Sequence, residues 1–179
     1  RVYGGAQNLR YELTGRFANT EGVMKDDYRH RYSLGFKLDY HVNNSILVSN
    51  RTTYTEIKAQ NTPYGSFAEY VTMNPYERMY NEDGTPNTDL AWDLDNPLYE
   101  ASLGSYSRNG TNTFANSTDI RWDITNQFRL TGHFNITSQT GWKDIFRSPK
   151  SRDFKDITDL TKKGSSTQTD SRPVSYNAN

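Results

Sequence analysis

The chain has no cysteine, so its residues can build neither a disulfide framework nor a thiolate metal site. No apolar run approaches the roughly 20 residues of a membrane helix. Hydrophobic residues are scarce: they make up 33% of the 179, and mean hydropathy is -0.94, too polar for a soluble domain with an ordinary core. Leu, Ile, Val and Phe together fall under the level of about 20% at which disorder becomes the default reading. Excess charge is also missing. Lys and Arg number 21 against 21 Asp and Glu, so no basic stripe points to nucleic acid, and no nucleic-acid partner is expected. Nor is there a start Met or a leader: the chain opens at Arg1 and ends in a polar stretch, which predicts an internal fragment of something longer.

What is present argues against disorder. Aromatics reach 13%, with 13 Tyr, whereas disordered chains are aromatic-poor and usually charge-imbalanced. In residues 28–42 the even positions read Tyr28, His30, Tyr32, Leu34, Phe36, Leu38, Tyr40, Val42. The odd ones read Arg29, Arg31, Ser33, Gly35, Lys37, Asp39, His41. Side chains alternate across a strand, so this is a two-faced ribbon about fifteen residues long, against five or six in ordinary strands. The pattern recurs with Leu9, Tyr11, Leu13 and Phe17, then with Phe114, Ile120, Trp122 and Ile124, then with Phe128, Leu130, Phe134, Ile136 and Trp142. It is weaker over residues 45–59, where Ile46, Val48 and Tyr54 keep phase and Leu47 and Ile57 do not. A last strand is expected from Ser166 through Val174 and Tyr176, with Pro173 an obstacle inside it.

The connections alternate in length. Tight joints fall at Asn43-Asn44 and Thr125-Asn126-Gln127, a long connection covers residues 60 to about 112, and another follows Phe146. Short turns on one side and long loops on the other describe an outer-membrane barrel with periplasmic turns and extracellular loops. Residues 19–27 are then extracellular as well. Tyr40, Trp122 and Phe128 fall beside the short turns, and Tyr28, Tyr32 and Trp142 toward the long loops, as interfacial aromatic girdles would. The expected fold is all-β: a transmembrane antiparallel β-barrel segment of about six long strands, covering residues 1–179, in contact with outer-membrane lipid. Six strands cannot close a wide channel and an open edge is not tolerated in lipid, so further strands are expected outside this sequence. The competing fold is a soluble β-sandwich, whose strands would be shorter and whose core would be denser.

At the long connection the sequence becomes specific. Thr62-Pro63-Tyr64-Gly65-Ser66-Phe67 leads into Tyr70, Asn74-Pro75-Tyr76, Asn81-Glu82-Asp83-Gly84 and Asp95-Asn96-Pro97-Leu98. Before it stand Glu21-Gly22-Val23-Met24-Lys25 and Arg31-Tyr32-Ser33-Leu34, and after it Trp142-Lys143-Asp144. In this order the series resembles the SusC/RagA family of TonB-linked outer-membrane transporters of Bacteroidota, over nearly the whole chain. The resemblance implies a 22-stranded barrel with an N-terminal plug and TonB box, driven by TonB–ExbB–ExbD through that N-terminal region. It also implies a SusD-like surface lipoprotein as a lid, and glycan or peptide cargo. Plug and TonB box have no counterpart in these residues.

No catalytic set is expected, and neither an enzyme activity nor a cofactor is predicted. The segment from Asn81 to Asp89 is similar to a calcium loop but lacks the helix-flanked twelve-residue spacing, and a Gly-centred turn is the simpler reading. His30, His41 and His133 are scattered without metal-ligand partners, and the Asp93/Asp95 pair has no nucleophile or base beside it. Triplets such as Asn50-Arg51-Thr52 and Asn135-Ile136-Thr137 arise from polar alternation rather than glycosylation. Two candidate sets remain. Arg29, Arg31, Lys37, Arg121, Arg129 and His133 face the lumen, where they contact plug or cargo, or else pair with Asp39, Asp119 and Asp123 in a solvated wall. Tyr64, Phe67, Tyr70, Tyr76, Tyr80 and Trp92 in the long loop either meet the lid or cargo or pack the loop on itself. The functional expectation is active import of oligomeric nutrients. A porin or siderophore-receptor barrel and a soluble carbohydrate-binding β-domain are the alternatives.

Overall fold

The computed structural model describes residues 1–62, 64, 66–88, 90–91 and 95–179, the side chain of residue 69 excepted. The chain extends into eight strands, the clearest alternation of apolar and polar side chains being in β3: β1 Val2–Ala6, β2 Leu9–Glu21, β3 Tyr28–His41, β4 Ile46–Asn61, β5 Tyr106–Asp123, β6 Arg129–Arg147, β7 Ser165–Ser171 and β8 Val174–Ala178. They form one antiparallel sheet in chain order from β1 to β7, with β8 also on β6. From β2 to β6 the strands hold 13, 14, 16, 18 and 19 residues, more than twice ordinary length throughout. This is the architecture of a segment of barrel wall.

The register aligns the faces. One row reads Leu9, Tyr40, Val48, Ile120 and Gly132, and another reads Gly15, Leu34, Tyr54, Phe114, Ser138 and Val174. Because partners directly opposite share a face, the apolar sets of all the long strands fall on one side of the sheet. That side is uncovered. Leu13, Phe17, Leu34, Ile120, Leu130 and Phe134 are all exposed, and among the described residues the buried hydrophobics are Tyr64 and Leu90, both in the β4–β5 connection. A water-soluble sandwich puts such a face against a second sheet, whereas hydrocarbon covers it in a barrel.

The weak stretch in residues 45–59 has a structural counterpart. Asn50 and Thr52 of β4 stand on the apolar face beside Thr118 and Asn116 of β5. Leu38 and Phe36 flank them on one side, Phe134 and Ile136 on the other. The four polar side chains satisfy one another. Asn50 Nδ2 donates to Thr118 Oγ1 at 2.8 Å, Asn116 Nδ2 to Thr52 Oγ1 at 2.8 Å, and Thr52 Oγ1 to Asn50 Oδ1 at 3.0 Å. A polar group in an apolar setting is tolerated when its hydrogen bonds are made internally, so the quartet leaves the face competent to meet lipid.

Two boundaries differ from the sequence expectation. The last strand is split into β7 and β8 at Arg172-Pro173, because proline lacks the ladder N–H; the Pro173 carbonyl still accepts from Gln139 N at 3.0 Å. β5 begins at Tyr106, so the long connection is residues 62–105. After Tyr106 the next residues, Ser107 to Asn112, carry no large apolar side chain and do not announce a strand. Gly110 in that stretch is where the Trp142 indole lies across the backbone, and a Cβ there would collide with the indole at Nε1.

All the short joints lie at one edge. Asn43 Oδ1 accepts from Ser45 N and Ile46 N at 2.8 and 2.9 Å and closes β3 to β4. Thr125 Oγ1 accepts from Phe128 N at 3.0 Å and closes β5 to β6. The opposite edge carries residues 22–27, 62–105 and 148–164.

Candidate functional site

The long-loop edge is where backbone is most elaborated, and polar side chains organise it. In residues 62–105 two short helices form, α1 Phe67–Val71 and α2 Pro97–Ser102. Pro97 sits at the first helical position, where its missing N–H costs nothing, and Asn96 caps the end by accepting from Leu98 N at 3.0 Å. The other end of the Asn96 amide donates to the Met79 and Asn87 carbonyls at 2.8 and 2.7 Å. Asn96 is 1% exposed. One side chain thus starts a helix and ties together two passes of the loop, which gives the Asp95-Asn96-Pro97-Leu98 motif a physical role.

Glu100, on α2 and 3% exposed, fastens this loop to the next one. Its carboxylate accepts from Ser151 Oγ and from Arg152 N, both at 2.8 Å. Ser151 also caps a 3-10 turn at Arg152–Phe154. Around the clamp, Tyr99 Oη donates to the Lys150 carbonyl at 3.2 Å, Arg152 donates to the Thr88 carbonyl at 2.9 Å, and Arg152 Nε lies 3.0 Å from Asp95. Buried carboxylates survive when their oxygens are met by donors, and here each oxygen accepts one. Between the two loops lies a cleft of about 500 Å³.

The third loop joins from the β2–β3 side. Asp26 adopts φ 67°, and the neighbouring Asp27 carboxylate takes the Thr62 hydroxyl at 2.6 Å and the Thr62 N–H. Burial, with the Asp26 and Asp27 charges adding to it, pushes the Tyr64 phenol above its usual range. In the Asn81–Asp89 stretch, the Asp83 carboxylate accepts from Thr85 Oγ1 and N at 2.6 and 2.9 Å, with Gly84 at φ 82°. Its oxygens serve a turn. Among the described residues no group of three or more His, Asp or Glu side chains could hold a metal ion.

The structure separates the loop aromatics into two kinds. Tyr64 is buried, its ring centroid 6.4 Å from that of Tyr70, and Tyr70 Oη donates to the Tyr64 carbonyl at 2.9 Å. These two pack the loop on itself. Phe67, Tyr76 and Tyr80 are exposed, Tyr76 at 90%. Trp92 and Asp93 lie outside the described residues.

The cationic candidates all stand on the polar face, opposite the exposed apolar one. Lys37 lies 3.1 Å from Asp39, Arg121 lies 3.6 Å from Asp123, and Arg129 binds the same Asp123 across the β5–β6 pair. His133 Nδ1 is 2.6 Å from Asp119 Oδ1, its register partner. Arg31 Nε donates to Ser33 Oγ at 3.3 Å. Arg29 is in register with Thr20 and Ala59, toward the long-loop edge. Sequence reasoning did not single out Asn96, Glu100, Ser151 or Arg152 as structural. Their signal was the Asn-Pro cap, and the partner loop was invisible without the sheet.

No family model matches the chain. Over 158 residues, 86% of the chain, it is 26% identical to a TonB-dependent receptor of Formosa agariphila. The chain spans 14% of that receptor's length.

Proposed function

We propose that the chain forms part of the barrel wall and outer mouth of a TonB-dependent outer-membrane transporter that imports oligomeric nutrients. The similarity to a TonB-dependent receptor over 86% of the chain carries this reading. The uncovered apolar face and the sorting of short and long connections to opposite edges support it. On this assignment the apolar face meets lipid, the polar face lines the lumen, and the edge bearing residues 62–105 and 148–164 is extracellular. The finer reading is a SusC-like member with glycan or peptide cargo, a SusD-like lipoprotein over the exposed Phe67, Tyr76 and Tyr80, and TonB–ExbB–ExbD engaging residues beyond this chain.

The decisive experiment is uptake of a fluorescent oligosaccharide by cells carrying the full-length protein, with and without a functional TonB. Uptake abolished without TonB is the expected result. Uptake that persists would assign the wall to a passive porin. A soluble β-domain is disfavoured by the apolar rows, which find no second sheet.

A further inference from the structure

The cleft between the two long loops sorts charge. Residues 148–164 contain five basic residues, and four of them, Lys150, Arg152, Lys155 and Lys163, line the cleft together with Tyr99 and Phe154. The three acidic residues of the same loop, Asp153, Asp156 and Asp159, are not among the lining. Asp153 instead pairs with Arg147 at 2.6 Å, and Asp159 with Lys162 at 3.6 Å. Arg152 is spent on Asp95 and Thr88. Lys150 and Lys163 have no ion-pair partner among the described residues, although Lys163 is half-buried. The Glu100 carboxylate fastens the two walls together and is itself taken up by Ser151 Oγ and Arg152 N.

On the reading that this edge is extracellular, we propose that the cleft is a subsite for an anionic oligosaccharide, one bearing carboxylate or sulfate groups. Lys150 and Lys163 take the anionic substituent through charge-assisted hydrogen bonds. Tyr99 and Phe154 supply aromatic surface, whose negatively polarised faces attract the C–H face of a sugar ring. An acidic peptide fits less well, since the described lining side chains include no amide to take paired N–H and C=O groups. A volume of about 500 Å³ holds one or two sugar rings rather than a whole chain, so the cleft reads one unit of a longer cargo.

The test is calorimetric titration of the full-length transporter in detergent with four probes: a hexameric uronate, a sulfated galactan oligosaccharide, a neutral malto-oligosaccharide and hexaglutamate. One or both anionic sugars should bind, more weakly as salt is raised. Lys150→Gln and Lys163→Gln should each weaken that binding roughly tenfold. Lys162→Gln, on the same loop but outside the cleft, should leave it unchanged. Which of the two sugars binds tells carboxylate from sulfate. Absence of anionic-sugar binding, equal binding of the neutral sugar, or indifference to both cleft substitutions overturns the subsite. Hexaglutamate binding as tightly as the sugars overturns its glycan character. A separate arm isolates the underlying topology: Tyr76→Cys and Asn44→Cys variants, in a cysteine-free background, are exposed on intact cells to a membrane-impermeant maleimide. Labelling of Tyr76→Cys alone keeps the topology whatever the titrations give, and labelling of Asn44→Cys alone overturns both readings.

Discussion

An arginine placed at Leu34 tests the assignment of the two faces most directly. Leu34 lies on the apolar face, 59% exposed, between Gly15 on β2 and Tyr54 on β4. It is six residues from both Tyr28 and Tyr40 along β3, the aromatic positions nearest the two edges. With a rise of about 3.3 Å per residue and a tilt of about 40°, six residues cover about 15 Å along the membrane normal. Leu34 therefore sits near the middle of a band about 25 Å tall, too deep for a guanidinium to reach headgroups cheaply. A lipid-facing Arg at that depth costs about 2–4 kcal/mol. At 1.4 kcal/mol per decade, the folded-to-unfolded ratio falls about 30- to 700-fold.

Two controls give the measurement its meaning. Tyr40→Arg stands on the same face beside the short turns, where the cost falls to about 0–1 kcal/mol. Thr53→Arg stands on the opposite, polar face, in register with Gly35 and Ala115, and should change stability by about 0.5 kcal/mol or less. The assay is reversible folding of the full-length protein into phosphatidylcholine vesicles, followed by tryptophan fluorescence and by resistance to unfolding in detergent gels. The order of cost should be Leu34→Arg, then Tyr40→Arg, then Thr53→Arg. Leu34→Arg costing no more than Thr53→Arg would refute the face assignment, because depth and side would then be irrelevant.

Three further outcomes are expected. Glu100→Ala removes an acceptor for Ser151 Oγ and Arg152 N, so residues 148–152 should open locally by about 2–3 kcal/mol, measured as faster amide exchange while the strands stay protected; unchanged exchange would show that the clamp holds nothing. In the polar quartet, Asn116→Val should cost about 1–3 kcal/mol by orphaning its partners, whereas the combined Asn50→Leu, Asn116→Val, Thr52→Val and Thr118→Val replacement should come close to neutral in vesicle folding; a quadruple variant worse than the single one sinks the self-satisfaction argument. The Thr85 hydroxyl and N–H hold the Asp83 carboxyl below its usual range, so the turn gains stability above the unfolded value near 3.8 and loses it as pH falls further. Protection of residues 83–85 should be flat from pH 7 to 5 and drop on acidification, and a rise would reverse the sign.

Much of the wall was legible in the residues because strand periodicity is local. Tyr28 to Val42 states its two faces without reference to any neighbour, and the register only had to align faces already defined. Where legibility failed, stability came from a neighbour. β4 read weakly because Leu47 and Ile57 fall out of phase, onto the polar face, and Asn50 and Thr52 further interrupt the apolar row. What makes these two acceptable is Asn116 and Thr118, more than sixty residues later. The opening residues of β5 read as loop because Gly110 has no side chain to show; its face is supplied by the Trp142 indole. Tyr3, Gly4 and Gly5 hid β1 in the same way, since that strand exists through pairing with Leu9 to Leu13. Periodicity sees the side chains a strand contributes and misses those it borrows.

The same distinction explains why the loop cleft could not be read from sequence. Aromatic residues drew attention in the long connection, yet Tyr64 and Tyr70 serve its interior, and its firmest contacts are polar. Among the described residues of this connection only Tyr64 and Leu90 are buried hydrophobics, too few for burial at about 25 cal/mol per Å² to fix its shape alone. Hydrogen-bonded carboxylates and amides take over that task, each donor and acceptor demanding a partner in one direction. Glu100 and Asn96 are such residues, and both sit on or beside α2, whose Pro97 start was visible. The partners that complete them carry no periodic signal: Met79 and Asn87 lie in the same connection as Asn96, while Ser151 and Arg152 are brought close by the long β5–β6 hairpin. Where those directional bonds tie the two loops together, two lysines without acidic partners among the described residues stand on the cleft wall. On the proposed reading, a wall built that way discriminates by charge before it discriminates by shape, because cations line an open volume.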